Sequence, residues 1–166
     1  MDGIAKMKDA RRVRSQSGQA LVELAFILPI LVLLIIGVIE IGRYAYISIL
    51  VGNAARAGAA FGSQNLTTNS NTTGISNAAN NDFLSNGMSG LTTTSFNTCG
   101  CDVNGTVSSD TQGNCTPTGS PPTCPGGHWV ITLHVTSTGD FDGLFNFMGA
   151  NKLTITQSAA MRVAPI

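Results

Sequence analysis

The sequence predicts an α+β protein, with one long amino-terminal helix followed by a small antiparallel sheet. Three observations lead to that reading. Residues 20–39 form an apolar run whose only charge is Glu23. Two stretches near the carboxyl end alternate apolar and polar side chains with the two-residue period of a strand. All four cysteines, Cys99, Cys101, Cys115 and Cys124, lie in a Gly- and Pro-rich segment ahead of those stretches.

The apolar run comes first. Its residues, as a helix rising about 1.5 Å each, reach about 30 Å, which is one hydrocarbon thickness. Ahead of it, Lys6, Lys8, Arg11, Arg12 and Arg14 hold five of the nine basic residues. The positive-inside rule therefore predicts a single span with a cytoplasmic amino terminus and an exported remainder. The run exceeds the apolar core of about 7 to 15 residues found in a secretory signal, so an uncleaved or differently processed helix is expected. A carboxylate entering hydrocarbon costs roughly 2.5 to 3.5 kcal/mol at the bilayer centre and less near its edge, so Glu23 calls for a partner. Pro29 removes a backbone donor and frees the carbonyl of Ala25, a site where a bend is expected. Glu40 and Arg43, three residues apart, share a helix face and are expected to form a local ion pair.

Apolar residues at Ile41, Tyr44, Ile47, Leu50 and Val51 carry the helix on to about Phe61, with closure near Gly62. This stem is crowded with Gly and Ala, small residues that let neighbouring helices approach closely. Residues 63–74 are almost all Ser, Thr, Asn and Gln and read as a solvated linker. Ile75, Ala78, Ala79 and Phe83 form a modest apolar stripe, predicting a short helix over 75–84. Residues 97–127 read as a long loop. Trp129, Ile131, Leu133 and Val135 alternate with Val130, Thr132, His134 and Thr136, and Leu153, Ile155, Gln157, Ala159, Met161 and Val163 mark the second strand. A helix over 140–148, capped by Asp140 and stopped at Gly149, is expected between them. The resulting organisation is a basic leader over 1–18, a membrane and stalk helix over 19–62, and an exported α+β head over 63–166.

An even number of cysteines in an exported segment predicts two disulfides. Each of Cys99 and Cys101 joins Cys115 or Cys124, because a bond between the first two would be strained; the pairing is open. A zinc site combining these thiols with His128, or a redox-active pair, is the competing reading, but one short C-x-C without a second close pair is a weak metal signal.

Charge and motif content exclude several function classes. Residues 19–166 hold four basic residues against seven acidic ones, a net of about −3, so no nucleic-acid partner is expected. There is no nucleophile motif, phosphate loop or metal-binding helix, and neither an enzyme nor a cofactor is expected. His134 is expected to face solvent opposite Leu133. Asp140 and Asp142 lack the oxygen-rich spacing of a calcium loop.

One combination is more specific. The basic leader, Gly18, a glutamate as the fifth residue after it, the apolar run with an early proline, Glu40-Ile41-Gly42-Arg43, and Ala54-Ala55-Arg56-Ala57-Gly58-Ala59-Ala60 resemble the TadE-like family. The closing Ala159-Ala160-Met161-Arg162-Val163 is also similar to the end of such proteins. These are pilin-like proteins of the bacterial Tad (Flp) pilus assembly system. The resemblance implies a pilin-like α+β fold in the inner membrane and processing by a prepilin peptidase between Gly18 and Gln19. It implies an assembly role for Glu23, and membrane, pilins and pilus-assembly proteins as partners. The function it implies is that of a minor pilin or pseudopilin assisting a Tad-type pilus used in adherence or biofilm formation. The alternative is an uncleaved single-pass anchor carrying an extracytoplasmic binding domain.

Overall fold

A computed structural model describes residues 3–84, 90–112, 115, 123–143 and 152–163. Helix α1 runs from Gly3–Gly62, α2 from Leu66–Ser70 and α3 from Thr72–Leu84. Four strands follow: β1 (Thr92–Val103), β2 (Thr106–Gln112), β3 (His128–Phe141) and β4 (Leu153–Arg162). They make one antiparallel sheet in the order β2-β1-β3-β4. The α+β architecture expected from the sequence is therefore present.

The chain divides into two units, Met1–Arg43 and Tyr44–Ile166. In the first, α1 continues through Pro29 without a break in its helical assignment. Its side chains over 21–35 all lie in the open, and Leu21, Phe26, Leu33 and Val38 are each between 67% and 75% exposed. The segment Gly18–Gly62 contains a stretch long and apolar enough to cross a membrane.

The second unit is built around one face of the sheet. Successive side chains of a strand point to opposite faces, so Ile131, Leu133, Val135, Ser137 and Gly139 of β3 share the inner face, and all are buried. The outer turns of α1 and the helix α3 cover that face. Ile47, Leu50, Val51 and Ala54 of α1 join Ala79 and Phe83 of α3, Phe141 and Ile155 in one cluster. Ala59 and Ile75 join Cys99, Cys115, Ile131, Leu133, Val135 and Val163 in a second. Ile75, Ala79 and Phe83 recur every fourth residue, which keeps them on one side of α3. The small residues of the stem are used differently from the sequence expectation. Ala54, Ala55 and Ala59 are completely buried, and Ala54 and Ala59 belong to the two clusters that pack α1 against the chain's own sheet.

Three sequence expectations are corrected. Residues 63–74, expected to be a plain linker, contain α2. Asn65 caps it by accepting from the Thr68 N–H at 2.9 Å while the Thr68 hydroxyl accepts from the Asn65 N–H at 3.1 Å, and Asn71 then accepts from the Gly74 N–H to start α3. Residues 97–127, expected to be a loop, hold much of β1 and all of β2. The two strands turn at Asn104 and Gly105, both with positive φ (53° and 84°), the geometry of a two-residue hairpin. Asp140 does not cap a helix; it is the penultimate residue of β3, pairs with Thr154 and lies 3.7 Å from Lys152. The remainder of the helix expected over 140–148 lies mostly outside the described residues.

Candidate functional site

The expected functional residues fall in two places. The first is the exposed apolar helix. Gly18, Gln19 and Glu23 are all exposed along it, and a Cβ placed on Gly18 would meet nothing within 4 Å. Among the described residues nothing covers them, and Glu23 is the one charged residue of the apolar run over 20–39. Within about one turn of the end of the apolar run, Arg43 Nη1 donates to Glu40 Oε2 at 3.1 Å, the i, i+3 pair expected from the spacing. A helix-surface pair of this kind contributes a few tenths of a kcal/mol in water and more where solvent is scarce.

The second place is the end of the sheet where the cysteines meet. Cys99 is bonded to Cys115, and Cys101 to Cys124, with Cα separations of 5.8 and 5.6 Å. Cys99 and Cys101 are two apart on β1, opposite Ile131 and Trp129, so they share the inner face and can each reach one of the later thiols. Among the described residues there is no free cysteine and no group of His, Cys, Asp or Glu arranged to hold a metal ion.

Beside this pair of bridges lies a feature the sequence did not announce. Asp102 is buried, with its side chain 4% exposed, yet it is fully occupied: Oδ1 accepts from the Gly105 N–H at 2.8 Å and Oδ2 accepts from the Arg162 guanidinium. One carboxylate thus ties the hairpin turn to the far end of β4, sixty positions away in sequence. The signal that was available is Asn104-Gly105, a dipeptide strongly associated with hairpins; an acid two residues before it is placed to reach back to the turn.

His134 lies on the face opposite Leu133, as expected, but it is half-buried there rather than free in solvent. It lies opposite Phe96 on the outer face, its ring stacked on that of Phe96 at 4.8 Å and 4° between planes, with Nε2 2.9 Å from the Thr98 hydroxyl. A histidine so engaged is a cross-strand packing residue. His128 is exposed at the start of β3.

Comparison with known proteins finds a match over the first place and none over the second. Residues 18–60 match the family model described as TadE-like protein. The chain carries a TadE-like segment. The match lies wholly within α1 and takes in the exposed apolar stretch, Glu23, the Glu40–Arg43 pair and the alanines packed on the sheet. The TadE-like family is a structural and assembly family of the Tad pilus, and the matched segment implies a Tad pilus-related protein. The sheet, the disulfides and the Asp102–Arg162 tie lie outside the TadE-like segment. No curated protein and no solved structure matches the chain.

Proposed function

We propose that this protein is a minor pilin or pseudopilin that assists assembly of a Tad-type pilus serving adherence or biofilm formation. The observation that carries the reading is the TadE-like match on an exposed apolar helix bearing a single carboxylate near its start. In this reading residues 1–18 are a cytoplasmic leader, residues 19–62 the membrane and stalk helix, and residues 63–166 the exported head. The helix is held in the inner membrane until assembly. A prepilin peptidase cuts between Gly18 and Gln19 and exposes a new α-amino group.

The physical logic rests on two charges that are each unfavourable alone. A buried carboxylate and a buried ammonium each carry several kcal/mol of desolvation, which their mutual attraction offsets when geometry allows. When stalk helices pack side by side, Glu23 of one subunit meets the amino group of Gln19 on its neighbour. Exposed Tyr46 and Ile49 of α1 supply apolar surface for the same packing.

The test combines processing with assembly in bacteria carrying an active Tad system. Intact-mass measurement should find a chain beginning at Gln19, and Glu23→Ala should be processed normally but fail to enter or support the pilus. Normal pili with Glu23→Ala refute the charge-pairing step. A retained leader on membrane-extracted protein supports instead an uncleaved anchor with an extracytoplasmic head.

A further inference from the structure

The hairpin that joins β1 to β2 carries two groups that can react with each other. In Asn104-Gly105 the backbone nitrogen of residue 105 can attack Cγ of the residue 104 carboxamide, because glycine has no Cβ to keep them apart. Asparagine in such a setting is thermolabile. The nitrogen gives up its proton to base, a new N–Cγ bond closes a five-membered succinimide, and the Cγ–Nδ2 bond breaks. The departing nitrogen leaves as ammonia, so the proton is accounted for. Water then opens the ring at either carbonyl. One opening leaves aspartate at position 104; the other leaves isoaspartate, in which Cβ has become part of the main chain. The chain holds one other Asn-Gly, at 86–87, outside the described residues.

The structure leaves one reactant open and restrains the other. Asn104, Gly105 and Thr106 are all exposed, and among the described residues no hydrogen bond holds the Asn104 carboxamide. Asn65 and Asn71 differ, since their side chains accept from the Thr68 and Gly74 N–H groups. The attacking nitrogen is not open in this way. Gly105 donates its N–H to Asp102 Oδ1 at 2.8 Å, and that carboxylate is fixed in turn, with its side chain 4% exposed and Oδ2 accepting from Arg162. Three effects then oppose ring closure. The proton that must leave points at Asp102 rather than at solvent. A buried negative charge beside the nitrogen disfavours the negative charge that develops there as the proton departs. Positive φ at both turn residues and the pairing of Val103 with Thr106 fix the peptide between Asn104 and Gly105, so the rotation that ring closure needs would break the end of the ladder.

We propose that Asn104-Gly105 is a self-modification site whose reaction Asp102 holds off in the folded head, so that residue 104 is converted in chains where this contact is lost. Water is the only co-reactant. Neither product suits the native hairpin. Isoaspartate adds an atom to the main chain of a two-residue turn clamped by Val103 and Thr106, and aspartate sets a second carboxylate two residues from a buried one. Conversion therefore marks, irreversibly, a head that has not closed the Asp102 tie, and it opposes later closure. The site lies outside the TadE-like segment, so the inference stands apart from the pilus reading.

Full-length protein in detergent, incubated at mildly alkaline pH, tests this through the mass of the peptide that holds residue 104, in which conversion exchanges NH2 for OH. Asn86 is scored on its own peptide. The native chain should convert slowly when folded and fast when reduced and held in denaturant. Asp102→Ala, shown to be folded by circular dichroism, should convert at least roughly tenfold faster than the native chain, the ratio expected when a hydrogen bond to a charged group no longer has to be given up before reaction. Should that variant not fold, Asp102→Asn, which keeps an acceptor for the Gly105 N–H but no charge, should convert faster than the native chain and slower than the denatured one. Ile155→Ala opens a cavity in the cluster at the other end of the sheet and leaves the turn contact in place, so it should match the native rate. Equal rates in the native chain and the folded Asp102 variant, an Ile155→Ala chain as fast as Asp102→Ala, or no conversion at residue 104 in denaturant overturns the proposal.

Discussion

Replacing Arg162 by alanine should destabilise the head by about 1.5 to 3 kcal/mol, the range for a hydrogen bond to a charged group. The estimate follows from an asymmetry in the pair. The Asp102 side chain is 4% exposed and cannot recover water when its partner leaves, whereas the Arg162 side chain is 51% exposed and was never fully desolvated. Breaking a pair buried on both sides costs about 3 to 5 kcal/mol, so the half-exposed arginine brings the expectation below that. The Gly105 N–H remains on Oδ1 and holds part of the charge, which also keeps the loss from being larger. Thermal unfolding of the full-length protein in detergent, followed by circular dichroism, should show a fall of roughly 6 to 12 °C at roughly 4 °C per kcal/mol. A double-mutant cycle with Asp102→Asn isolates the coupling: Arg162→Ala should be much less harmful in the Asp102→Asn background, where no buried negative charge is left stranded. A change within about 0.5 kcal/mol for Arg162→Ala alone, the ordinary range for a surface substitution, would refute the reasoning that Asp102 is a tie between hairpin and β4.

Two further outcomes follow from the same end of the sheet. Removing the Cys99–Cys115 bridge, which closes a loop across 16 positions, by replacing both cysteines with serine should lower stability by about 3 kcal/mol, read as a lower denaturant midpoint with a somewhat steeper slope because the unfolded chain is less constrained. Gly127→Ala would put a methyl group into the carbonyl oxygen of Asp102, a backbone atom that cannot move without disturbing the pairing of Asp102 with His128; a loss of about 1 to 3 kcal/mol is expected. Gly42→Ala, on a stretch of α1 where an added Cβ meets nothing within 4 Å, serves as its control and should be neutral or slightly stabilising in the same melt.

Much of the architecture was legible residue by residue. The run over 20–39 is readable because a membrane-length helix needs only apolar side chains in sequence, whatever follows. Strands β3 and β4 are readable because Ile131, Leu133 and Val135, and Ile155 and Met161, put apolar groups at every second position. Strand β1 is not, because its inner-face residues over 93–97 are Thr93, Ser95 and Asn97; the same polar composition that marks a loop serves there in a strand. The TadE-like segment was likewise legible, since its markers are local spacings within one helix.

Local order and composition along the chain were enough to set the long helix, the lone carboxylate in its apolar run over 20–39, the presence of two disulfides and the α+β class, because each is read from residue content or from neighbours a few residues apart. The tertiary structure alone decided which cysteines pair, that Asp102 meets Arg162, that the stem's alanines pack on their own sheet, and that β4 follows β3 in the sheet order. Those outcomes depend on the order and register of strands, which bring together residues tens of positions apart and are determined by the packing of the whole sheet against α1 and α3.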